Sequence, residues 1–235
     1  MDMTDSPEQE RWIRSIPVNT QHPSLKDNTA DVDRLVKGIE KALGNGEVRI
    51  DLSLSRKIPS LLREHGYHVR ADLYKGPSSW HLVDVFPPTE IGSAHGLAVD
   101  LGTSMIAVRL LDLETGEVKE EASFLNPQIG VGPDILTRIH YAGQEGGLQE
   151  LQSLLVNRLN QEIQSLAQRR GISTRRIVGA SIAGNTTMTH FFLGLDPFWI
   201  CREPYIPVLN RPDLIPADEI GLGIHRCRDR SPPCQ

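Results

Sequence analysis

Apolar residues recur along this chain with two different periods. From Asp31 to Leu43 the side chains Val32, Leu35, Val36, Ile39 and Leu43 return at helical spacing, so a helix is expected there. Asp31 stands where an N-cap belongs and Gly44 where a helix stops. A short strand-like run, Val48 to Leu52, comes next. Leu54, Ile58, Leu61 and Leu62 then predict a second helix ending near Gly66, with Pro59 in its first turn or at a kink. Val69 to Tyr74 and Trp80 to Phe86 read as two strands around the turn Lys75-Gly76-Pro77-Ser78. Residues 25–88 are therefore expected to form a small α+β domain, closed by Pro87-Pro88. Residues 1–24 carry Pro7, Pro17 and Pro23 without a sustained period and read as an extended lead-in or linker.

From Gly96 the pattern changes. Leu97 to Leu101, Met105 to Asp112 and Val118 to Phe124 predict three consecutive strands, with turns at Gly102-Thr103-Ser104 and Glu114-Thr115-Gly116-Glu117. A loop from Asn126 to Gly132 leads to a helix opened by Pro133 and running to about Tyr141. A long helix from about Leu148 to Arg170 carries Leu151, Leu155, Leu159, Ile163 and Leu166 on one face, and Gly171 stops it. An apolar strand, Arg176 to Ala183, precedes Gly184-Asn185-Thr186-Thr187, and Met188 to Leu193 begins another helix. The order β-β-β-α-α-β-α is that of an α/β, ribonuclease-H-like half-domain of the actin-type ATPases, expected over residues 94–225.

Two polar stretches lie at strand ends in this second region. In the first, Asp100 ends an apolar run and Gly102, Thr103 and Ser104 come after it. Gly102 permits close backbone approach, since it has no Cβ. Thr103 and Ser104 offer hydroxyls and backbone N–H groups that can face one anion, and Asp100 suits a hard divalent cation or its water shell. An ordinary hairpin with a polar turn explains the same residues. The second stretch, Gly184 to Thr187, occupies the carboxyl end of a strand, where open α/β sheets place nucleotide sites.

Composition narrows the classes. Hydrophobic residues make up 39% and charged residues 23%, which describes a globular chain. A net charge of −5 without a single-sign block argues against nucleic acid or an anionic membrane as partner. No apolar run reaches the roughly 18 residues of a spanning helix, and the acidic start is no secretory signal peptide. Cysteine occurs at positions 201, 227 and 234, too late for a disulfide framework, so a cytoplasmic protein is expected.

Three pieces, LAVDLGTSMIAVRLLDLETGEV, LNPQIGVGPDILTRI and SIAGNTTMTHFFLGLDP, resemble the ATPase domain of the reductive activators of corrinoid proteins. That domain belongs to the superfamily of acetate and sugar kinases, actin and heat-shock ATPases. The segment VNTQHPSLKDNTADVDRLVKGIEKAL, with RKIPSLLREHGYHV after it, looks like the middle domain that precedes the ATPase domain in the same family. The resemblance covers about residues 17–225.

It implies an ATP-dependent protein that returns cob(II)alamin in a corrinoid protein to cob(I)alamin, using an electron from an iron–sulfur donor. Its partner would be a corrinoid iron–sulfur protein or a corrinoid methyltransferase component, and full-length relatives suggest a homodimer. Asp100, Gly102, Thr103 and Ser104 match the family's first phosphate loop, with Asp100 placed to hold Mg²⁺ through water. Gly184, Asn185, Thr186 and Thr187 match a second polar loop near the nucleotide. Ser104 departs from the more usual Thr but keeps the hydroxyl.

Two departures are larger. The family's two-iron two-sulfur cluster needs four Cys ligands, and no Cys precedes residue 201 here. After His225 the chain turns into a polar run to Gln235, where another strand and the second half of the ATPase are expected. The tail, residues 226–235, reads as aberrant, and a truncation with a frameshift near residue 225 is the expectation; sequencing the DNA on both sides of the frame checks it. On this view the chain is a fragment with half an ATP site, expected to bind nucleotide weakly or not at all and to expose sheet surface that favours self-association. The alternatives are a sugar or carboxylate kinase, which shares the first loop but needs an acidic base, and a non-enzymatic remnant that binds a partner.

Other residues have plainer explanations. His225, Cys227 and Cys234 fit no usual zinc spacing. Cys201 reads as a partly buried thiol, Trp80 as packing, and His190 as packing or as a polar group at the surface, ahead of catalysis. Asp134 and Arg138, one helical turn apart, are expected to pair. Asn126 and Gln128 come after the third strand and are candidates for lining the cleft.

Overall fold

A computed structural model describes residues 13–44, 46–76, 78–90 and 93–224. The early part of the lead-in, and the tail with His225, Cys227 and Cys234, lie outside the described residues. The chain divides into two compact units, one within residues 13–94 and one within residues 95–112 and 116–224.

In the first unit, strands β1 (Ile13–Asn19), β2 (Val48–Arg49), β3 (His68–Lys75) and β4 (Trp80–Phe86) make a sheet in the order β1-β3-β4-β2. β1 lies in what reads from sequence as a linker. It runs antiparallel to β3 with Val18 opposite Val69, and it buries Ile16 and Val18. Pro17 is compatible with this because β1 is an edge strand, where a missing N–H costs no ladder bond.

Helix α1 (Asp31–Leu43) buries Leu35 and Ile39 against this sheet. Its N-cap is Ala30 rather than Asp31, and Asp31 instead meets Arg63 at 2.8 Å; Gly44 ends the helix at φ +83°. The predicted second helix is two: α2 (Leu52–Ser55) and α3 (Ile58–Glu64), with Pro59 in the first turn of α3.

In the second unit, β5 (His95–Leu101), β6 (Met105–Asp112), β7 (Val118–Leu125) and β8 (Ile177–Gly184) form a sheet in the order β7-β6-β5-β8. β5, β6 and β7 are antiparallel neighbours, and β8 joins β5 in parallel. Alternation sends Leu97, Val99, Leu101, Ile106, Val108 and Leu110 to one face. Helix α5 (Gly147–Arg169) covers it with Leu151, Leu155, Leu159, Ile163 and Leu166, each at most 1% exposed. A buried leucine of this kind contributes about 2 kcal/mol through removal from water.

Asn160 on α5 fastens the chain end of this unit. It donates to the Gly221 carbonyl at 2.9 Å and accepts from the Gly223 N–H at 2.7 Å, and Leu222 and Ile224 reach the same core. Helix α4 (Ile135–Ala142) begins two residues later than Pro133 suggests, with Asp134 as its N-cap. Helix α6 (Thr186–Leu193) begins directly after β8, capped by Asn185. No helix among the described residues is long and apolar enough to cross a membrane.

Candidate functional site

Parallel neighbours β5 and β8 end level with each other, Leu101 opposite Gly184. The segments leaving the two strands therefore emerge at one end of the sheet. After β5 comes the connection Gly102-Thr103-Ser104, and after β8 come Asn185 and the first turn of α6. The two polar stretches singled out in the sequence are thus adjacent. Asn185 Nδ2 donates to Thr103 Oγ1 at 3.2 Å across a separation of 82 positions. The Asn185 Oδ1 accepts from the Met188 N–H at 2.9 Å, so one side chain both caps α6 and holds the opposite loop.

Asp100 is exposed just before the end of β5. Its register partners are Ala107 on β6 and Ala183 on β8, so methyl groups flank the carboxylate on that face. Ser104, Gly184 and Thr186 are exposed and Gly102 and Thr103 half-buried. Thr187 departs from the expected set: it is 6% exposed, beside the fully buried Met188, and is withdrawn from the rim. The close approach at Gly102 is to its own turn. A Cβ there would stand 2.1 Å from the Met105 carbonyl oxygen, so the loop path excludes any side chain.

Behind the first loop lie side chains that the sequence reading places differently. Asn126 and Gln128 are buried at 1% and 0% exposed and do not line an open cleft. Asn126 Nδ2 donates to the Gly102 carbonyl at 3.0 Å, its backbone N–H to the Ser104 carbonyl at 2.9 Å, and its Oδ1 accepts from the Gln128 N–H at 2.9 Å. Gln128 Nε2 reaches the Leu151 carbonyl on α5 at 2.9 Å.

The expected Asp134–Arg138 pairing is replaced by two separate sets of bonds. Asp134 accepts from the Thr137 N–H at 2.9 Å and the Thr137 hydroxyl at 2.8 Å, and these bonds hold its carboxyl below the usual range. Arg138 donates through Nε to the Gly132 carbonyl at 2.8 Å and through Nη1 to the Thr103 carbonyl at 2.9 Å. Ile135, Arg138, Ile139 and Ala142 share helical spacing, so an arginine interrupting an apolar stripe was the visible signal for this buried role.

His190 is buried, which fits packing and not a polar place at the surface. Its Nε2 accepts from the Val208 N–H at 3.0 Å, which leaves Nδ1 to donate to the Thr186 carbonyl at 2.7 Å. Cys201 is partly buried, its Sγ 3.4 Å from the Phe198 carbonyl. Among the described residues no group of three or more His, Cys, Asp or Glu gathers as a metal cage. Asp100 suits the other mode, in which Mg²⁺ takes one carboxylate, often through water, and phosphate oxygens for the rest.

Two family profiles match the chain in order. The RACo linker region matches residues 10–90 and the RACo middle region residues 95–229. The stretch that resembles a middle domain in sequence, residues 25–88, therefore falls in the linker region of that scheme, and the ATPase-like stretch falls in its middle region. The corrinoid activation enzyme RamQ of Eubacterium limosum is 31% identical over 127 residues, which cover 53% of this chain and 21% of that protein. A solved structure titled reductive activator for corrinoid, iron–sulfur protein superposes with a TM-score of 0.84 at 27% identity, covering 97% of this chain and 36% of that one. The chain thus spans about a fifth and about a third of the lengths of these two relatives.

Proposed function

Since the chain belongs to the reductive activators of corrinoid proteins, the RACo family, we propose that it contributes to reductive activation, the one-electron return of cob(II)alamin to cob(I)alamin in a corrinoid protein. The observation that carries this is the pair of family regions matched in order over almost the whole chain. The high structural similarity to a corrinoid activator supports it. The partner would be a corrinoid iron–sulfur protein or a corrinoid methyltransferase component. The electron would come from an iron–sulfur donor, and ATP with Mg²⁺ would drive the transfer uphill.

In this reading the second unit is a ribonuclease-H-like half of an actin-type ATPase domain, supported by the strand order β7-β6-β5-β8 with β8 parallel. Thr103, Ser104, Asn185 and Thr186 would meet phosphate, and Asp100 would hold Mg²⁺ through water. Mg²⁺, when bound, supplies charge neutralisation for the phosphates. The protein's part is positioning by amides and hydroxyls, which phosphoryl chemistry needs more than a covalent catalyst. The kinase alternative is not favoured, because the family matches run to corrinoid activators on both units.

A chimera tests the proposal. This chain replaces the corresponding region of a working activator, and the cob(I)alamin absorbance is followed with Mg-ATP, a low-potential donor and the corrinoid protein. ATP-dependent formation of cob(I)alamin is expected. A folded chimera that makes no cob(I)alamin, where the parent does, overturns the assignment.

A further inference from the structure

Both carbonyls at the tip of the first loop are held from behind. Asn126 Nδ2 holds that of Gly102 at 3.0 Å, and Arg138 Nη1 holds that of Thr103 at 2.9 Å. In a trans peptide the C=O of one residue and the N–H of the next point in opposite directions. Drawing the Gly102 and Thr103 carbonyls inward therefore turns the Thr103 and Ser104 N–H groups outward, towards the half-buried and exposed side of the loop. Two successive N–H groups directed to one side form a concavity suited to an anion.

Arg138 is 0% exposed and its hydrogen-bond acceptors are two carbonyls and, at 3.8 Å, the Met188 sulfur, all of them neutral, while its Nη2 has no hydrogen-bond partner. An arginine keeps its proton inside proteins, so a full positive charge lies directly behind the loop. Burial pulls its pKa below the ordinary value, with the Asp134 carboxylate opposing. A buried charge without a close counter-ion is costly and is relieved by an anion nearby.

We propose that Arg138 is a positioning residue for a phosphate-bearing anion at Gly102–Ser104: it braces the Thr103 carbonyl so that the loop amides face outward, and its charge backs them. The proposal rests on the phosphate-loop reading of these residues and adds the group that organises them. It assigns to Arg138 two separable contributions, a brace and a charge.

The whole chain is titrated with inorganic pyrophosphate and with Mg-ATP, and the amide resonances of Thr103, Ser104, Asn185 and Thr186 are followed by NMR. Wild type is expected to show weak but saturable shifts at these amides. Arg138→Met is expected to weaken binding by about tenfold or more, as loss of a buried charge does. Arg138→Lys, which keeps the charge, is expected to recover most of that loss. Arg138→Gln, which keeps a donor and drops the charge, replaces the Met variant if the latter does not fold. A part in packing alone would not distinguish Lys from Met or Gln. Binding by wild type with unchanged affinity in the neutral variant, or with Lys as weak as the neutral variant, overturns the role of Arg138 and leaves the loop reading standing. No saturable shift in wild type with either probe overturns the loop reading, and the proposal with it.

Discussion

In the first unit Arg34 is 5% exposed and meets the Asp27 carboxylate at 2.6 Å; in the second, Arg138 is 0% exposed and meets carbonyls. Arg34 also donates to the carbonyls of Gln21, Asp27 and Thr29. Each guanidinium leaves one nitrogen without a partner, Nε of Arg34 and Nη2 of Arg138. What separates them is the anion. The hydrogen bond that Arg34 donates to Asp27 raises the pKa of Arg34, whereas burial lowers that of Arg138. A buried arginine with its own carboxylate closes a loop onto a helix and is complete. One held by neutral acceptors, the Gly132 and Thr103 carbonyls and the Met188 sulfur, keeps its charge available to something that arrives from outside.

The apolar cores offer no such contrast, and the largest expected effects test that. Leu35→Ala in the first unit and Leu159→Ala in the second each remove a side chain that is 0% exposed. Each is expected to cost about 3 kcal/mol, the transfer term plus a cavity. Urea unfolding followed on the amides of β3 and of β5 reads the two costs separately. Costs that differ by much more than the usual spread would put the contrast in the packing and not in the polar groups.

A smaller pair concerns backbone. Gly102→Ala forces a Cβ onto the Met105 carbonyl oxygen and is expected to cost about 2 kcal/mol. Gly44→Ala, at φ +83° with nothing within 4 Å, costs only the left-handed conformation, about 1 kcal/mol. Equal costs, measured by urea midpoint, would mean that the β5–β6 loop relaxes freely and that its path is not held by Asn126 and Arg138.

Helix starts differ in the same sense. α4 and α6 begin with Asp134 and Asn185, whose side chains accept from their first turns, while α1 begins at Ala30 without a side-chain cap. Asn185→Ala is expected to cost about 1 kcal/mol. It should also free Thr103 Oγ1, which a change in the Thr103 amide resonance would report. An unshifted Thr103 resonance would show that the bond across the two loops is dispensable.

Legibility tracked the strength of the local pattern. α5 was readable because five apolar residues keep one face over many turns, and all five are buried. The strand order from β5 to α6 was readable because each run is bounded by Gly, Pro or Asn. β1 was not, because Pro17 breaks the run and its two buried residues, Ile16 and Val18, are too few to declare a period. The pairing that makes it a strand comes from β3, some 50 positions away. At the site, the polar turn residues announced themselves, but the groups behind them did not. Arg138 looked like half of an i,i+4 ion pair, because spacing shows which residues share a face and not what that face meets. Thr187 looked like rim and is packed, because helix α6 starts ahead of its apolar residues, at Thr186.

Two carboxylates bear directly on the arginine contrast, and Asp134 carries the smallest expected effect. Asp27 is held below the usual range by Arg34 first and Thr29 second, and Asp134 by the Thr137 N–H and hydroxyl. In unfolded chain both titrate near about pH 4. A carboxyl with a lowered folded-state pKa stabilises fully above its unfolded value, and that contribution is lost as pH falls through the folded value. Asp134→Asn should change little at pH 7, since Asn caps a helix about as well as Asp. Asp27→Asn should lower stability at pH 7, because it leaves Arg34 with neutral acceptors only, in the situation of Arg138. As pH falls from about 4 towards 2, the urea midpoint of wild type should approach that of the Asp27→Asn variant, since the unfolded chain takes up a proton that Arg34 keeps off the folded carboxylate. If Asp27→Asn matches wild type at pH 7, a carboxylate is not what completes a buried arginine in this fold. The bare surroundings of Arg138 would then say nothing about an incoming anion.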